Sequence, residues 1–197
     1  MEKRGVPFFI LIIIMVAIVV AIGVKNITTS LTTNADRKLS SNEETQNIEI
    51  ALSDLDNKTT RNTYANVLVS NYKKEATDVL NETNKYRKEA NRNNLVLDDK
   101  LSQVATIRAM EIALNDKFSH RRPDGSYYSK IFYELNIESR TSGENIAYGY
   151  DNGKEVCIDW KQSKGHYANM VNDSYNKLGV GVYNYKGRTY WVQIFSN

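Results

Sequence analysis

Residues 143–147, Gly-Glu-Asn-Ile-Ala, carry an acidic side chain midway between the only two histidines of the chain, His120 and His166. Imidazole and carboxylate groups are zinc ligands, and a site with few protein ligands keeps coordination positions open for water or substrate. The pattern therefore makes His120, Glu144 and His166 candidate metal ligands, although their spacing alone is a weak signal. The alternative is that both histidines are hydrogen-bonded structural residues.

The residues around this stretch change from a helical to an extended periodicity. Apolar residues at helical spacing predict four helices, over residues 76–87, 101–112, 128–135 and 155–163, with Asp98 or Asp99 capping the second. Residues 178–182 and 190–194 alternate between apolar and small or polar side chains, which predicts a β-hairpin; 146–150 is a further candidate strand. Helices followed by an antiparallel sheet predict an α+β sandwich.

Several short motifs occur in a fixed order along this part of the chain. They are Asn84–Arg87, Leu101–Glu111, Phe118–His120, Arg122–Gly125, Gly143–Ala147, Trp160–Ser163, Gly165–His166, Leu178–Gly181 and Tyr190–Phe195. In order and spacing they resemble the CAP superfamily (cysteine-rich secretory proteins, antigen 5 and pathogenesis-related 1), in its bacterial, cysteine-poor SCP-like branch. The resemblance covers residues 74–197 and implies an α-β-α sandwich with a central cleft.

The resemblance also implies roles for individual residues. His120 matches the first family histidine, Glu144 the glutamate of the Gly-Glu-Asn motif, and His166 the second histidine. The remaining family glutamate is replaced by Ser163, which removes negative charge that would help to hold a cation. Zinc, the one candidate cofactor, would therefore bind weakly, to His120 and His166 plus water. Asn145 and Trp160 are expected beside the cleft.

An uncharged, apolar run covers residues 5–24. As a helix it would span roughly 30 Å, the thickness of the hydrocarbon core of a bilayer. Because Lys3 and Arg4 precede it, we expect a cytoplasmic tip over 1–4, a transmembrane anchor over 5–24, and an extracellular C-terminal part. Cleavage near Ala21-Ile22-Gly23 with secretion, and a buried core helix, are the alternatives.

The 49 residues that follow the apolar run are polar and only weakly periodic. Because Ser, Thr and Asn are weak helix formers, residues 25–73 are predicted to form a partly helical stalk. The CAP-like domain is then expected over 74–197.

Composition excludes several functional classes. Twenty-six Lys and Arg against 23 Asp and Glu give a net charge of +3, too small for a nucleic-acid-binding field. No glycine-rich phosphate loop is present, so a nucleotide-binding enzyme is not indicated, and a single cysteine cannot form an internal disulfide.

Cys157 is predicted to be a buried structural thiol. Glu134 and Glu138 are predicted to be solvated surface residues, or else a substitute carboxylate near the cleft.

Three functions remain open from the sequence. The first is a cell-envelope binding module whose cleft takes a wall glycan or peptide, a lipid or a protein. The second is a hydrolase of extracellular peptide or wall substrates, in which His120 and His166 hold a metal and Glu144 is the general base. The third is a structural surface or spore-coat component. The absence of a recognisable nucleophile favours the first, and whether the protein is an enzyme is left open.

Overall fold

The computed structural model describes residues 57–197, in which helices cover both faces of a four-stranded sheet. The helices are α1 (Lys58–Asn71), α2 (Lys73–Glu89), α3 (Asp99–Leu114), α4 (Lys130–Glu134), α5 (Gly153–Gln162) and α6 (Lys164–Met170). The strands are β1 (Val96–Leu97), β2 (Ser142–Tyr148), β3 (Lys177–Tyr185) and β4 (Arg188–Ser196). Their order is β1-β3-β4-β2, with β1 parallel to β3 and the other pairs antiparallel. The predicted α+β architecture is confirmed.

Strand β4 separates two hydrophobic cores because its side chains alternate between the faces of the sheet. Trp191 and Phe195 pack in the core that contains residues of α2, α5 and α6, including the buried Cys157. Val192 and Ile194 pack in the core that contains residues of α1 and α3. Cys157 is therefore a buried thiol, as predicted, and its burial raises the pKa to about 12.

Helix α3 lies unusually close to strand β3. A Cβ atom on Gly179 would lie 2.1 Å from the carbonyl carbon of Leu101, and one on Gly181 would lie 2.2 Å from that of Ala105. These contacts are with helix backbone, which cannot rotate out of the way as a side chain can. The two glycines therefore set the spacing between α3 and the sheet.

The start of helix α3 and the turn between β3 and β4 are formed by residues that favour helix caps and tight turns. Asp98 caps α3, and its side chain accepts a hydrogen bond from the backbone N–H of Leu101 at 2.9 Å. Lys186 and Gly187 connect β3 to β4 with positive φ angles of 48° and 73°. Positive φ at both turn residues is the type I′ geometry that fits the twist of a two-residue hairpin.

Helix α1 lies within the range predicted as a stalk, yet it packs against the sandwich. Ala65 is fully buried with residues of α3, and Leu68 is also buried. The side chain of Asn57 caps the helix by accepting from the N–H groups of Thr59 and Thr60. The packed part of the chain thus includes residues before position 74, because α1 covers an apolar face of α3.

Within residues 57–197 no helix is both long enough and apolar enough to cross a membrane. The predicted anchor over 5–24, the cytoplasmic tip over 1–4 and most of the predicted stalk lie outside the described residues.

Candidate functional site

His120 and Glu144 form a direct pair at strand β2. Nδ1 of His120 lies 2.8 Å from Oε1 of Glu144. The carboxylate of Glu144 is fully buried, whereas the imidazole of His120 is 55% exposed. The hydrogen bond to this carboxylate raises the pKa of His120 against the opposing effects of burial and of the nearby Arg108. An ionised carboxylate only accepts, so Nδ1 carries the proton that is donated to Glu144.

Arg108 holds Glu144 from the side opposite His120. This arginine is completely buried, and its Nε donates to Oε2 of Glu144 at 2.9 Å. Its two remaining nitrogens donate to Oε2 of Glu111 at 2.8 Å and to the carbonyl oxygen of Ser119 at 2.7 Å. Arg108 thereby neutralises Glu144 and fixes the backbone next to His120.

The ion pairs continue from Glu111 to helix α1. Arg122 donates to Glu111 and, at 2.8 Å, to Glu134, which also accepts from Arg61 at 2.6 Å. We call the resulting series the charge ladder; its members in order are Arg61, Glu134, Arg122, Glu111, Arg108, Glu144 and His120. Three guanidinium groups alternate with three carboxylates, so the ladder is neutral whenever His120 is neutral.

The prediction that Glu134 is a solvated surface residue is wrong. Its side chain is only 9% exposed, because it lies between Arg61 and Arg122. Burial alone would raise the pKa of Glu134, but the hydrogen bonds from these two arginines lower it overall. It does not contact His120 directly and is connected to it only along the charge ladder. Glu138 is exposed, as predicted.

His166 lies on α6, which begins where α5 ends. Ser163 terminates α5 and caps α6, with its hydroxyl oxygen 3.5 Å from the backbone N–H of His166. Nδ1 of His166 is buried and has no hydrogen-bond partner among the described residues. Burial lowers the pKa of His166, and the charge on nearby His120 lowers it further. The two histidines thus have pKa shifts of opposite direction.

Buried amides connect the His166 side of strand β2 to the core. Asn145 Nδ2 donates to the carbonyl oxygen of His166 at 3.1 Å and to Gln193 at 3.0 Å. Asn169 Nδ2 donates to the side chain of Asn145 at 2.9 Å and to the carbonyl oxygen of Glu144 at 3.2 Å. Trp160 is fully buried, with its Nε1 3.5 Å from the carbonyl oxygen of Ile146. Asn145 and Trp160 therefore support the site from inside the fold.

The donor set of this site does not complete a centre for zinc, the cofactor that the resemblance implies. Both oxygens of Glu144 are engaged, one by His120 and the other by Arg108. In residues 57–197 no three His, Cys, Asp or Glu side chains are grouped so that they could hold a metal ion. Protein zinc sites use three or four protein ligands. A weak site on His120 and His166 stays a prediction.

Several residues of this arrangement were not identified as site residues from the sequence. Four residues that support Glu144 are distant from it along the chain. They are Arg61, Arg108, Glu111 and Arg122. One signal was present: Arg108 falls on the apolar stripe of α3, where a charged residue must find a buried partner.

The comparisons with known proteins give the family to which this fold belongs. The model of the CAP family, described as the cysteine-rich secretory protein family, matches residues 80–195. The chain therefore belongs to the CAP family. It is 30% identical over 138 residues to YkwD of Bacillus subtilis, covering 70% of this chain and 52% of that protein. It is 32% identical over 118 residues to the membrane protein YlbC of the same species, covering 59% of this chain and 33% of YlbC. The chain thus spans about half the length of YkwD and about a third of the length of YlbC.

Solved structures show the same fold. An extracellular protein containing an SCP domain from Bacillus anthracis is similar with a TM-score of 0.59 and 26% identity, over 64% of this chain and 41% of that one. An outer surface protein of Borrelia burgdorferi also has a TM-score of 0.59, with 22% identity over 64% of this chain and 94% of that one. Helix α1 precedes the residues that the family model matches.

Proposed function

We propose that this protein is a cell-envelope binding module whose ligand docks at the cleft formed by His120, Glu144 and His166. One observation carries the proposal: the buried carboxylate of Glu144 is fully engaged, while the imidazole it orients is 55% exposed. Such a carboxylate is an orienting group for His120. The exposed imidazole is then the recognition group, able to donate a hydrogen bond from Nε2 when it is protonated.

The opposite pKa shifts of the two histidines support ligand recognition. Near neutral pH, His120 is the more readily protonated ring and His166 the more readily neutral one. A ligand with a carbonyl or carboxylate near His120 and a donor near His166 would satisfy both. Wall peptides and N-acetylated glycans carry both kinds of group, as do some lipids and protein surfaces, and we favour the wall fragments.

The metal-assisted hydrolase is the less supported alternative. It needs Glu144 as a base toward metal-bound water, but both oxygens of this carboxylate are already engaged. A purely structural role is also less supported, because it gives no reason for an exposed imidazole on a buried, charge-compensated carboxylate.

Attachment to a membrane is part of the proposal. The uncharged segment 5–24 preceded by Lys3 and Arg4 would serve as an anchor with the CAP domain on the outer side. The similarity to the membrane protein YlbC and to an extracellular SCP-domain protein supports an envelope location.

Binding of soluble muropeptides to the full chain tests this function. We expect saturable binding by calorimetry, weakened at least about tenfold in His120→Ala and His166→Ala, a change of about 1.4 kcal/mol. Lys88→Ala, at an exposed position of α2, is the matched control. Equal affinity of all four proteins would overturn the proposal. Cleavage of the muropeptides that depends on added zinc and on both histidines would establish the hydrolase instead.

A further inference from the structure

A concave site lies between helices α1 and α3, and none of His120, Glu144 and His166 lines it. It has a volume of about 410 Å³, within the range of small-molecule sites. Its wall combines apolar and charged side chains. The apolar ones include Met110, Leu114 and Pro123, and the charged ones are Lys58, Arg61, Glu111, Arg122, Asp124, Lys130 and Glu134. Two of the lining cations, Lys58 and Arg61, precede the residues that the CAP family model matches. This pocket is therefore partly formed by helix α1, which lies outside the residues that the family model matches.

The carboxylates of the pocket are already fully engaged. Glu111 accepts from Arg122 at 2.7 Å and from Arg108 at 2.8 Å. Glu134 accepts from Arg122 and Arg61, as described for the charge ladder. Asp124 accepts from Lys130 at 2.8 Å and from the hydroxyl of Ser126 at 2.6 Å. The lining acids thus have little capacity left for a cationic ligand.

Donor groups, in contrast, remain in excess. The lining residues hold four cations, Lys58, Arg61, Arg122 and Lys130, against three carboxylates, so one positive charge is left over. Lys58 is the lining cation without a carboxylate partner among the lining residues. The side chain of Arg61 is nine-tenths buried, and its Nε has no hydrogen-bond partner among the described residues. Because this atom has almost no accessible surface, a ligand in the pocket does not reach it, and the exposed Lys58 is the cation left for an anionic ligand.

We propose that this pocket binds a small organic carboxylate. The carboxylate group would accept a hydrogen bond from Lys58, and the apolar body of the ligand would lie against Leu114 and Pro123, beside the buried Met110. The net charge of the lining selects an anion over a cation. The apolar wall selects an organic acid over a bare inorganic ion. Because none of His120, Glu144 and His166 lines this pocket, binding at the pocket and binding at the two histidines can be tested separately.

Methionine methyl NMR of the full chain tests this proposal directly. The chain has four methionines, of which Met110 lines the pocket and Met170 is buried in the other core. With methyl-labelled methionine, butyrate should shift the Met110 signal in a saturable way, with a dissociation constant of millimolar order for so small a ligand. The Met170 signal should not move. Butan-1-ol, which has the same carbon chain without the charge, should bind with at most a tenth of the affinity of butyrate.

Charge reversal at Lys58, which lines the pocket, supplies the matched comparison. Lys58→Glu should weaken butyrate binding at least tenfold, whereas Lys88→Glu, with the same change in net charge on α2, should leave it unchanged. An unmoved Met110 signal at about 50 mM butyrate would overturn the proposal. Equal binding of butyrate and butan-1-ol, or an equal effect of the two lysine variants, would also overturn it.

Discussion

Arg108 is the residue on which the candidate site most depends. It is fully buried and donates to three different acceptors, two of them carboxylates. We expect Arg108→Met to lower the free energy of unfolding by about 3–5 kcal/mol, because it leaves buried charges uncompensated. Arg108→Lys should recover only part of this loss, since an ammonium cannot reproduce the three directions of a guanidinium. Denaturant unfolding measures both variants, and a stability of Arg108→Met within about 0.5 kcal/mol of the parent would contradict the prediction.

The pKa values of the two histidines should lie on opposite sides of the ordinary histidine value of about 6.5. The pKa of His120 should lie above this value because its Nδ1 donates a hydrogen bond to the carboxylate of Glu144. The pKa of His166 should lie below it because the ring is buried and lies near His120. His120 therefore stabilises the fold fully below about pH 6.5, and this contribution is lost as the pH rises through its folded pKa. The contribution of His166 is complete above about pH 6.5 and is lost as the pH falls through its folded pKa.

Proton NMR resolves both titrations, since the chain has only two histidines. Glu144→Gln should lower the pKa of His120, because the acceptor loses its charge. The variants His120→Gln and His166→Gln assign the two signals. A higher pKa for His166 than for His120 would show that the pairing with Glu144 is not the dominant influence.

At the scale of elements, the approach of α3 to β3 makes a sharp prediction about glycine. Gly181→Ala should destabilise the protein by about 1–3 kcal/mol, because the new methyl group meets the backbone of Ala105. Gly165→Ala is the matched control: it lies in α6, nothing approaches within 4 Å of its Cβ position, and it should stabilise by about 0.4–1 kcal/mol. Thermal unfolding compares the two. Similar effects of the two substitutions would mean that α3 can move away from the sheet freely.

Elements governed by neighbouring residues could be predicted from the sequence. The alternation of Leu178, Val180 and Val182 predicted strand β3, and Asp98 caps α3 as one of the two expected candidates. Helix α1 was less readable, because one of its three buried positions is Arg61. In the sequence, Arg61 stands at helical spacing from Ala65 and Leu68, and its charge interrupts the apolar stripe that would predict a buried helix face. Its partner Glu134 is 73 residues away, and no local pattern connects the two.

The candidate site was predictable to a similar extent. His120, Glu144 and His166 follow from the resemblance, but the direct pairing of only His120 with Glu144 required the structure. Strand alternation places Glu144 on one face of β2 and Asn145 on the other, where it binds the backbone of His166. The charge ladder joins side chains from distant parts of the chain and could not be read from any single motif.

For the whole molecule, α1 should be required for full stability. A chain beginning at Lys73 loses the ion pair between Arg61 and Glu134 and the burial of Ala65 and Leu68. We expect it to be less stable than a chain beginning at Asn57 by about 3 kcal/mol or more. The midpoint of thermal unfolding should fall by roughly 10 °C. Equal midpoints for the two chains would show that α1 is not an integral part of the domain.

The position of α1 also has a mechanical consequence. Any tension transmitted along the polypeptide from its N-terminal side enters the described residues at Asn57 and first pulls on α1. If α1 peels from α3, Arg61 leaves Glu134, and the charge ladder loses the end farthest from His120. Because forced unfolding is governed by the rate of leaving the native state, weakening the interface of α1 should lower the force at which the domain begins to open. The helix would then act as the first element on the N-terminal side to yield, and Glu134 would keep only Arg122 as its arginine partner.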